Sequence, residues 1–485
     1  MRKPLPLLTA ALAVMAALAA LALPAAAADA VQLTAAITAD GSAALLTDGS
    51  VNTYLSVPQG GSITLATEGE AIAGVYLQFD KIPAEWTCTG PLGAAACGTN
   101  HFLHEYVNVA AAIGPARTLT LTFPEGAAIA ELSVWSAGEL PDTVQRWEPP
   151  YEQADLLLFS THSDDEHLFF AGILPTCIDR GLSAQVVYMT QHFDNTHNRP
   201  HEQLDGLWAV GVRHYPIVGP FPDLYATALD TARTLYASYG YQEEDFVAYA
   251  VEQLRRFKPQ VVIGHDPNGE YSHGAHMVNT AALRTALELS ADPTAYAASA
   301  DQWGVWDVPK TYLHLWPERT VVMDWATPLA SYGGMTAFAV SRLGYDCHVS
   351  QHWTWFTRWV RGTTDAPITA AAQINSYSPC RYGLYRTTVG DDTPGVNDFF
   401  ENITPYAEQR PPEPETAAPE KVEPTAAETT RPPAPATTTS PSTTSAPAVG
   451  EASGLPVSVI LPIGIAIILI VAVSSVLGPV GRKKK

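Results

Sequence analysis

Residues 155–170 read DLLLFSTHSDDEHLFF. An apolar run, 156–159, gives way within a few positions to three consecutive acidic residues, with His162 and His167 on either side. A short run that is apolar at every position is the pattern of a strand covered on both faces, and such strands belong to parallel sheets flanked by helices. The sequence downstream fits that reading. A helical stretch is expected over 167–181, closing on Gly181, followed by strand-like AQVVYMT at 184–190 and helix-like HEQLDGLWAVG at 201–211. YPIVG at 215–219 reads as a further strand. EDFVAYAVEQLRRFKP at 244–259 is a strong helix ending at a proline, and QVVIG at 260–264 is the strand after it. Alternation of strand and helix predicts an α/β fold, Rossmann-like with a mostly parallel sheet, over residues 150–403.

Open parallel sheets bind ligands beyond the carboxyl ends of their strands, which is where the acidic cluster falls. His162 and Asp165, three positions apart on a tight turn, can converge on one cation. Asp164 between them can point elsewhere and act as a base. Glu166 is expected to open the following helix, where the dipole favours a carboxylate. A second stretch repeats the arrangement: VVIGHDPNGEYSHGAHMVNTAAL at 261–283 leaves an apolar strand and enters a helix. His273 and His276, three apart at the helix start, face the same way. Two histidines and a carboxylate, with a fourth position open, are the donor set of a catalytic zinc site, whereas a structural site is closed by four protein ligands. A further histidine, His273 or His265, remains for work on a substrate.

HSDDE followed by GEYSHGAH resembles the PIG-L/LmbE-like family of zinc-dependent N-acetylglucosaminyl deacetylases, whose pattern is A-H-P-D-D-E and then G-x-Y-x-H-x-x-H about a hundred residues on. Thr161 and Ser163 replace the usual alanine and proline. NRPHEQLDGLWAVGV resembles the family's R-x-x-E helix through Arg199 and Glu202, and GLYRTTVGDD a late segment. The resemblance covers residues 150–403. It implies that His162, Asp165 and His276 bind the metal, zinc or, in the cell, iron(II). It implies that Asp164 is the general base toward the attacking water. His273 stabilises the oxyanion or protonates the amine, Tyr271 helps polarise the carbonyl, and Arg199 and Asp223 hold sugar hydroxyls. The implied substrate is an N-acetylated sugar, and the products are acetate and a free amino sugar.

Other histidines and aromatics read more plainly. His192, His197 and His201 have irregular spacing and are expected in a loop near the pocket mouth. His314 and His348 read as core or supporting residues. Trp353, Trp355 and Trp359 read mainly as the core of a helix, and Phe169 and Phe170 as packing. No C-x-x-C pattern exists among the five cysteines, so a thiolate zinc finger is not expected. Cys88 with Cys97, and Cys347 with Cys380, are candidate disulfides in an exported chain.

The rest of the chain is organised around that domain. Residues 31–146 carry short alternating runs, such as GSITLAT and RTLTLTF, separated by DGS, QGG and PEG turns, which predicts an all-β sandwich or jelly roll. LLTDGSVNTYLSV at 45–57 resembles the early signature of discoidin-like, galactose-binding-like domains, so this part is either a carbohydrate-binding module or a spacer packed on its neighbour. Residues 1–30 have the basic start, apolar stretch and small-residue end of a secretory signal peptide. Residues 404–454, rich in Pro, Thr, Ala and Ser, cannot bury a core and read as an extended stalk. The uncharged run 457–477 is long enough to span a bilayer, and the basic tail 478–485 is expected to stay cytoplasmic. A formal net charge of −22 excludes nucleic acid as a natural partner. The expectation is a cell-surface enzyme held by a C-terminal anchor. Two rivals are a surface carbohydrate-binding protein with a non-catalytic metal site and a zinc amidase acting on another acylamide. Nothing in the sequence specifies an oligomeric state.

Overall fold

The computed structural model describes residues 28–193 and 196–409, which fall in one compact unit. Leu156–Ser160 (β1) is buried at all five positions and is an inner strand of a seven-stranded sheet. Its companions are β2 (Ala184–Gln191), β3 (Ile217–Pro222), β4 (Val261–Gly264), β5 (Lys310–His314), β6 (Thr320–Val322) and β7 (Arg381–Thr387). The order is β3-β2-β1-β4-β5-β7-β6. The first five run parallel, while β7 is antiparallel to both β5 and β6, so the sheet is mixed at one edge. Chain order reverses between β1 and β4, and the crevice of a doubly wound sheet opens where the order reverses.

Helices α1 (Ile173–Asp179), α2 (Arg199–Ala209), α3 (Leu229–Ser238), α4 (Glu243–Phe257), α5 (Gly274–Leu289), α6 (Ala337–Cys347) and α7 (Trp355–Arg361) cover the sheet. α4 follows its sequence signals: three acidic residues occupy its first turn, Arg255 and Arg256 its last, and Phe246, Val247, Ala250, Val251 and Leu254 are buried. The expected helix over 167–181 is a correction. Only Ile173–Asp179 is helical, and residues 163–172 form consecutive turns. Glu166 therefore does not open a helix. Its Oε2 accepts the backbone N–H of Asp164 (3.0 Å), and the Asp165 carboxylate accepts that of His162 (2.8 Å). Side chains thus take up backbone donors that a helix would use for itself.

The N-terminal part is all-β, as expected. Gln32–Leu33, Leu55–Val57, Gly74–Phe79, His104–Val107 and Ala127–Trp135 form one antiparallel sheet, and Ala36–Ala39, Gly61–Ala66, Trp86–Gly90, Gly93–Cys97 and Thr118–Phe123 another. The two enclose Ile63, Leu65, Leu77, Phe79, Trp86, Leu119, Leu121 and Phe123. In the D-G turn, Asp48 accepts from Ser50 N–H (2.9 Å) and the Thr53 hydroxyl (2.7 Å). The sandwich is docked on the α/β part. Tyr215 stacks on Phe102 (4.5 Å) and accepts Leu103 N–H (2.9 Å), and Trp147 meets Trp208 and Tyr215 edge-on. Between the two parts lies a buried relay: Gln145 Oε1 accepts from His104 Nδ1 (2.8 Å), and His104 Nε2 meets His201 Nδ1 (2.7 Å).

All five cysteines are free thiols, which replaces the two candidate disulfides. The expected stalk is corrected at its first residues. Residues 404–409 pack on the body, where Tyr406 donates its N–H to Gln260 Oε1 (3.0 Å) and its hydroxyl to the Lys258 carbonyl (3.0 Å). The rest of the stalk, the expected membrane span and basic tail, and nearly all of the expected signal peptide lie outside the described residues. Among the described residues, no helix is long and apolar enough to cross a membrane.

Candidate active site

The turn after β1 and the segment after β4 meet at the switch point. His162 Nδ1, Asp165 Oδ2 and His276 Nε2 form a triangle with edges of 3.0, 3.4 and 3.4 Å. A tetrahedral ion with bonds of about 2.0–2.1 Å needs donor atoms about 3.3 Å apart, so these residues fit a divalent metal. Each imidazole is backed on its far side by a carboxylate. His162 Nε2 lies 3.2 Å from Asp223 Oδ1, and His276 Nδ1 lies 2.7 Å from Glu270 Oε2. Such backing fixes the tautomer that leaves the inner nitrogen free for a metal.

Two other histidines stand close, and their bonding separates them from the metal donors. His265 Nε2 accepts Thr161 N–H (3.0 Å) while its Nδ1 faces Glu270 Oε2 (2.9 Å), so neither nitrogen has a lone pair to spare. His273 is the N-cap of α5, and its Nδ1 accepts Ala275 N–H (3.2 Å). The proton of the neutral ring then sits on Nε2, which makes His273 a donor. Burial first, then the neighbouring His162 and His276, keeps its pKa well below the ordinary histidine value.

Asp164 sits beside the triangle at φ 123, a left-handed backbone that non-glycine residues adopt only where the surroundings hold them. Burial raises its pKa against the pull of Arg199. Arg199, on α2, lies 3.6 Å from Asp164 Oδ1 and 3.7 Å from Asp223 Oδ2, and donates to the Ser163 carbonyl (3.0 Å). Asp223, expected to meet sugar hydroxyls, contacts His162, His192 and Arg199. Burial opposes its charge, but these three, His162 foremost, hold its pKa far below the carboxylate range. The same balance acts on His162, where burial is outweighed by Asp223 and Asp165 and the pKa rises to about 9. Tyr271 adopts φ 44, with its ring 5.4 Å from His273 and 5.6 Å from His276. Burial keeps its phenol protonated.

The sequence reading passed over Glu270. Its carboxylate is fully buried, meets His265, His276 and His314 Nδ1 (2.6 Å), and accepts Asp266 N–H (3.2 Å). Burial raises its pKa, but His265 leads a set of partners that hold it well below the ordinary value. His314, read as core or supporting, is its partner.

Three expectations are corrected around the site. His192 and His197 lie in the loop between β2 and α2, with His192 behind Ser163 and His197 paired with Asp80 of the sandwich, whereas His201 is helical and lies in the domain interface. Trp353 and Trp355 are 75% and 45% exposed rather than core, and Trp355 meets Tyr271 at 5.6 Å. Phe169 and Phe170 are packing, as expected, but within turns.

Residues 157–287, which span both motif-bearing strands, match the PIG-L family, GlcNAc-PI de-N-acetylase. A 1D-myo-inositol 2-acetamido-2-deoxy-alpha-D-glucopyranoside deacetylase of Geodermatophilus obscurus is 35% identical over 96 residues, 20% of this chain and 31% of that protein. One from Saccharopolyspora erythraea is 35% identical over 130 residues, 26% of this chain and 46% of that protein. The chain therefore spans less than half the length of these relatives. Among solved structures, the N,N'-diacetylchitobiose deacetylase from Pyrococcus horikoshii aligns with a TM-score of 0.34 at 16% identity, covering 51% of this chain and 90% of that one.

Proposed function

We propose that this protein is a metal-dependent hydrolase that removes the N-acetyl group from an N-acetylglucosamine-type sugar. The observation that carries the reading is the triangle of His162 Nδ1, Asp165 Oδ2 and His276 Nε2, with Asp164 and the N–H of His273 on its flanks. The names of the relatives supply the acyl group and the sugar. His162, Asp165 and His276 would hold the metal, zinc by its donor set. Bound there, it supplies Lewis acidity, drawing electron density from the amide carbonyl and making the attacking water more acidic.

The chain's own groups do the rest. Asp164, buried and with a raised pKa, takes the proton of the attacking water and returns it to the departing amine. His273 donates from Nε2 to the carbonyl oxygen as negative charge develops there. Tyr271 is the second candidate donor. Asp223 orients His162, and Arg199 opposes the burial-driven rise in the pKa of Asp164. Water and amide are consumed, and acetate and the free amine leave.

The signal peptide and the run 457–477 complete the reading: an exported enzyme on a single C-terminal anchor, acting on an extracellular glycan or glycoconjugate. The test is acetate release by the purified full-length protein from N-acetylglucosamine glycans and inositol conjugates, with N-acyl amino acids alongside. Release from sugars alone, abolished by chelation and by Asp164→Asn, supports the deacetylase. Release from acyl amino acids alone supports the amidase. No release from either, with metal still bound, leaves the binding-protein reading. Cell fractionation with and without residues 457–477 tests the anchor.

A further inference from the structure

A second set of buried donors lies on the other side of the β1 turn. Glu166, His167 and His348 are all 0–1% exposed. One ligand atom from each lies within 4.8 Å of the others. His167 Nε2 is 3.3 Å from Glu166 Oε1, and His348 Nε2 is 3.9 Å from the same oxygen. Among the described residues none of these three atoms has a partner at hydrogen-bond geometry, and neither has His348 Nδ1, although the buried Tyr188 hydroxyl faces the Glu166 carboxylate. Leaving buried polar atoms unpaired costs about 1–3 kcal/mol each, so a cluster of four is unusual in a folded core.

The surrounding helices are shaped to it. α2 and α6 approach each other at Gly206 and Gly344. A side-chain carbon at Gly206 would fall 2.8 Å from Nε2 of both His167 and His348 and 3.0 Å from the Gly344 carbonyl oxygen. Both nitrogens therefore lie close to Gly206, where any side chain on α2 would press on them. A side-chain carbon at Gly344 would fall 2.4–2.7 Å from the ring of His167, so glycine is needed there to seat the imidazole.

We propose that Glu166, His167 and His348 form a second divalent-metal site. Two imidazoles and a carboxylate without thiolate suit zinc, iron(II) or cobalt(II) rather than calcium or magnesium. One ion satisfies Glu166 Oε1 and both Nε2 atoms together, which no single hydrogen bond among them does. Its three donors are separate from those of the first site and are 0–1% exposed. Glu166 Oε2 holds the N–H of Asp164, so the second ion pins the turn that carries the candidate base.

The test is metal stoichiometry of the untagged full-length protein, equilibrated with zinc, dialysed and measured by elemental analysis, with cobalt(II) absorption as a second readout. The expected result is two ions per chain, falling to one in His348→Gln and to one in His276→Ala. The cobalt spectrum of wild type should be the sum of the two variants' spectra. One ion in wild type, unchanged in His348→Gln, overturns the proposal and leaves a hydrogen-bonded histidine pair. The wild-type ratio decides even where a variant fails to fold. The count is read without reference to deacetylation, so it stands apart from the function proposed above.

Discussion

Glu270 shows how much a single buried carboxylate can organise. It touches three imidazoles, one of them on a candidate metal donor, while being too deep to meet a substrate. Glu270→Gln keeps the shape and removes the charge. Metal affinity should fall about 10- to 100-fold, as for other residues that orient a metal's ligands, with dialysis against a chelator as the assay. Asp164→Asn should behave differently: metal content stays at the wild-type value while kcat/KM for acetate release falls about 10²- to 10⁴-fold, the usual share of a general base. The donors His162, Asp165 and His276 were readable because their spacing follows from two strand ends. Glu270 was not, since its role depends on His265 and His314 arriving from β4 and β5, and a carboxylate before a tyrosine has no spacing of its own. The contact of Asp223 with His162 was not legible for the same reason: the two are remote in sequence.

At the scale of elements, the buried strands and α4 were legible because their apolar periodicity is strong. The helix expected from residue 167 failed at its first half. Just before it the side chains of Asp165 and Glu166 bond to the backbone and Asp164 takes a positive φ, and within it Gly172 does the same, which no helix tolerates. Gly172, at φ 94, also packs so closely that an added side-chain carbon would fall 2.4 Å from Trp325. Gly172→Ala should cost about 2 kcal/mol or more from the backbone and the clash together, read as a lowered urea midpoint with unchanged slope. Trp353 and Trp355 escaped the sequence reading because their cluster resembles a buried helix face, and only the fold shows which side of α7 meets solvent.

For the whole molecule, the relay between sandwich and α/β part makes stability depend on pH. His104 is fully buried, and burial, against its bond to Gln145, pushes its pKa down to about 4. An unfolded histidine titrates near 6.5. Between those values the unfolded chain binds a proton that the folded one refuses, so this contribution is complete above about pH 6.5 and is lost as the pH falls toward 4. His104→Gln should flatten the plot of unfolding free energy against pH in that window by about 1.4 kcal/mol per unit. Asp205, bonded to Gln145 and pushed up by burial to about 6, acts in the opposite sense, so Asp205→Asn should steepen the same plot. The docked aromatics also predict one cooperative thermal transition for the two parts, where a loosely tethered module would give two.

His162 and His276 stand 114 positions apart in the chain, and what brings them together is the parallel pairing of β1 with β4. Parallel pairing over so long a loop is slow, because chain entropy is lost before any contact is gained. The metal donors are therefore scattered during most of folding, and a nascent chain offers no preformed trap for a cation. In refolding from denaturant, uptake of a coloured ion such as cobalt(II) should lag the recovery of helical signal and rise together with burial of the central strands. The colour would then serve as a clock for the moment at which the sheet closes.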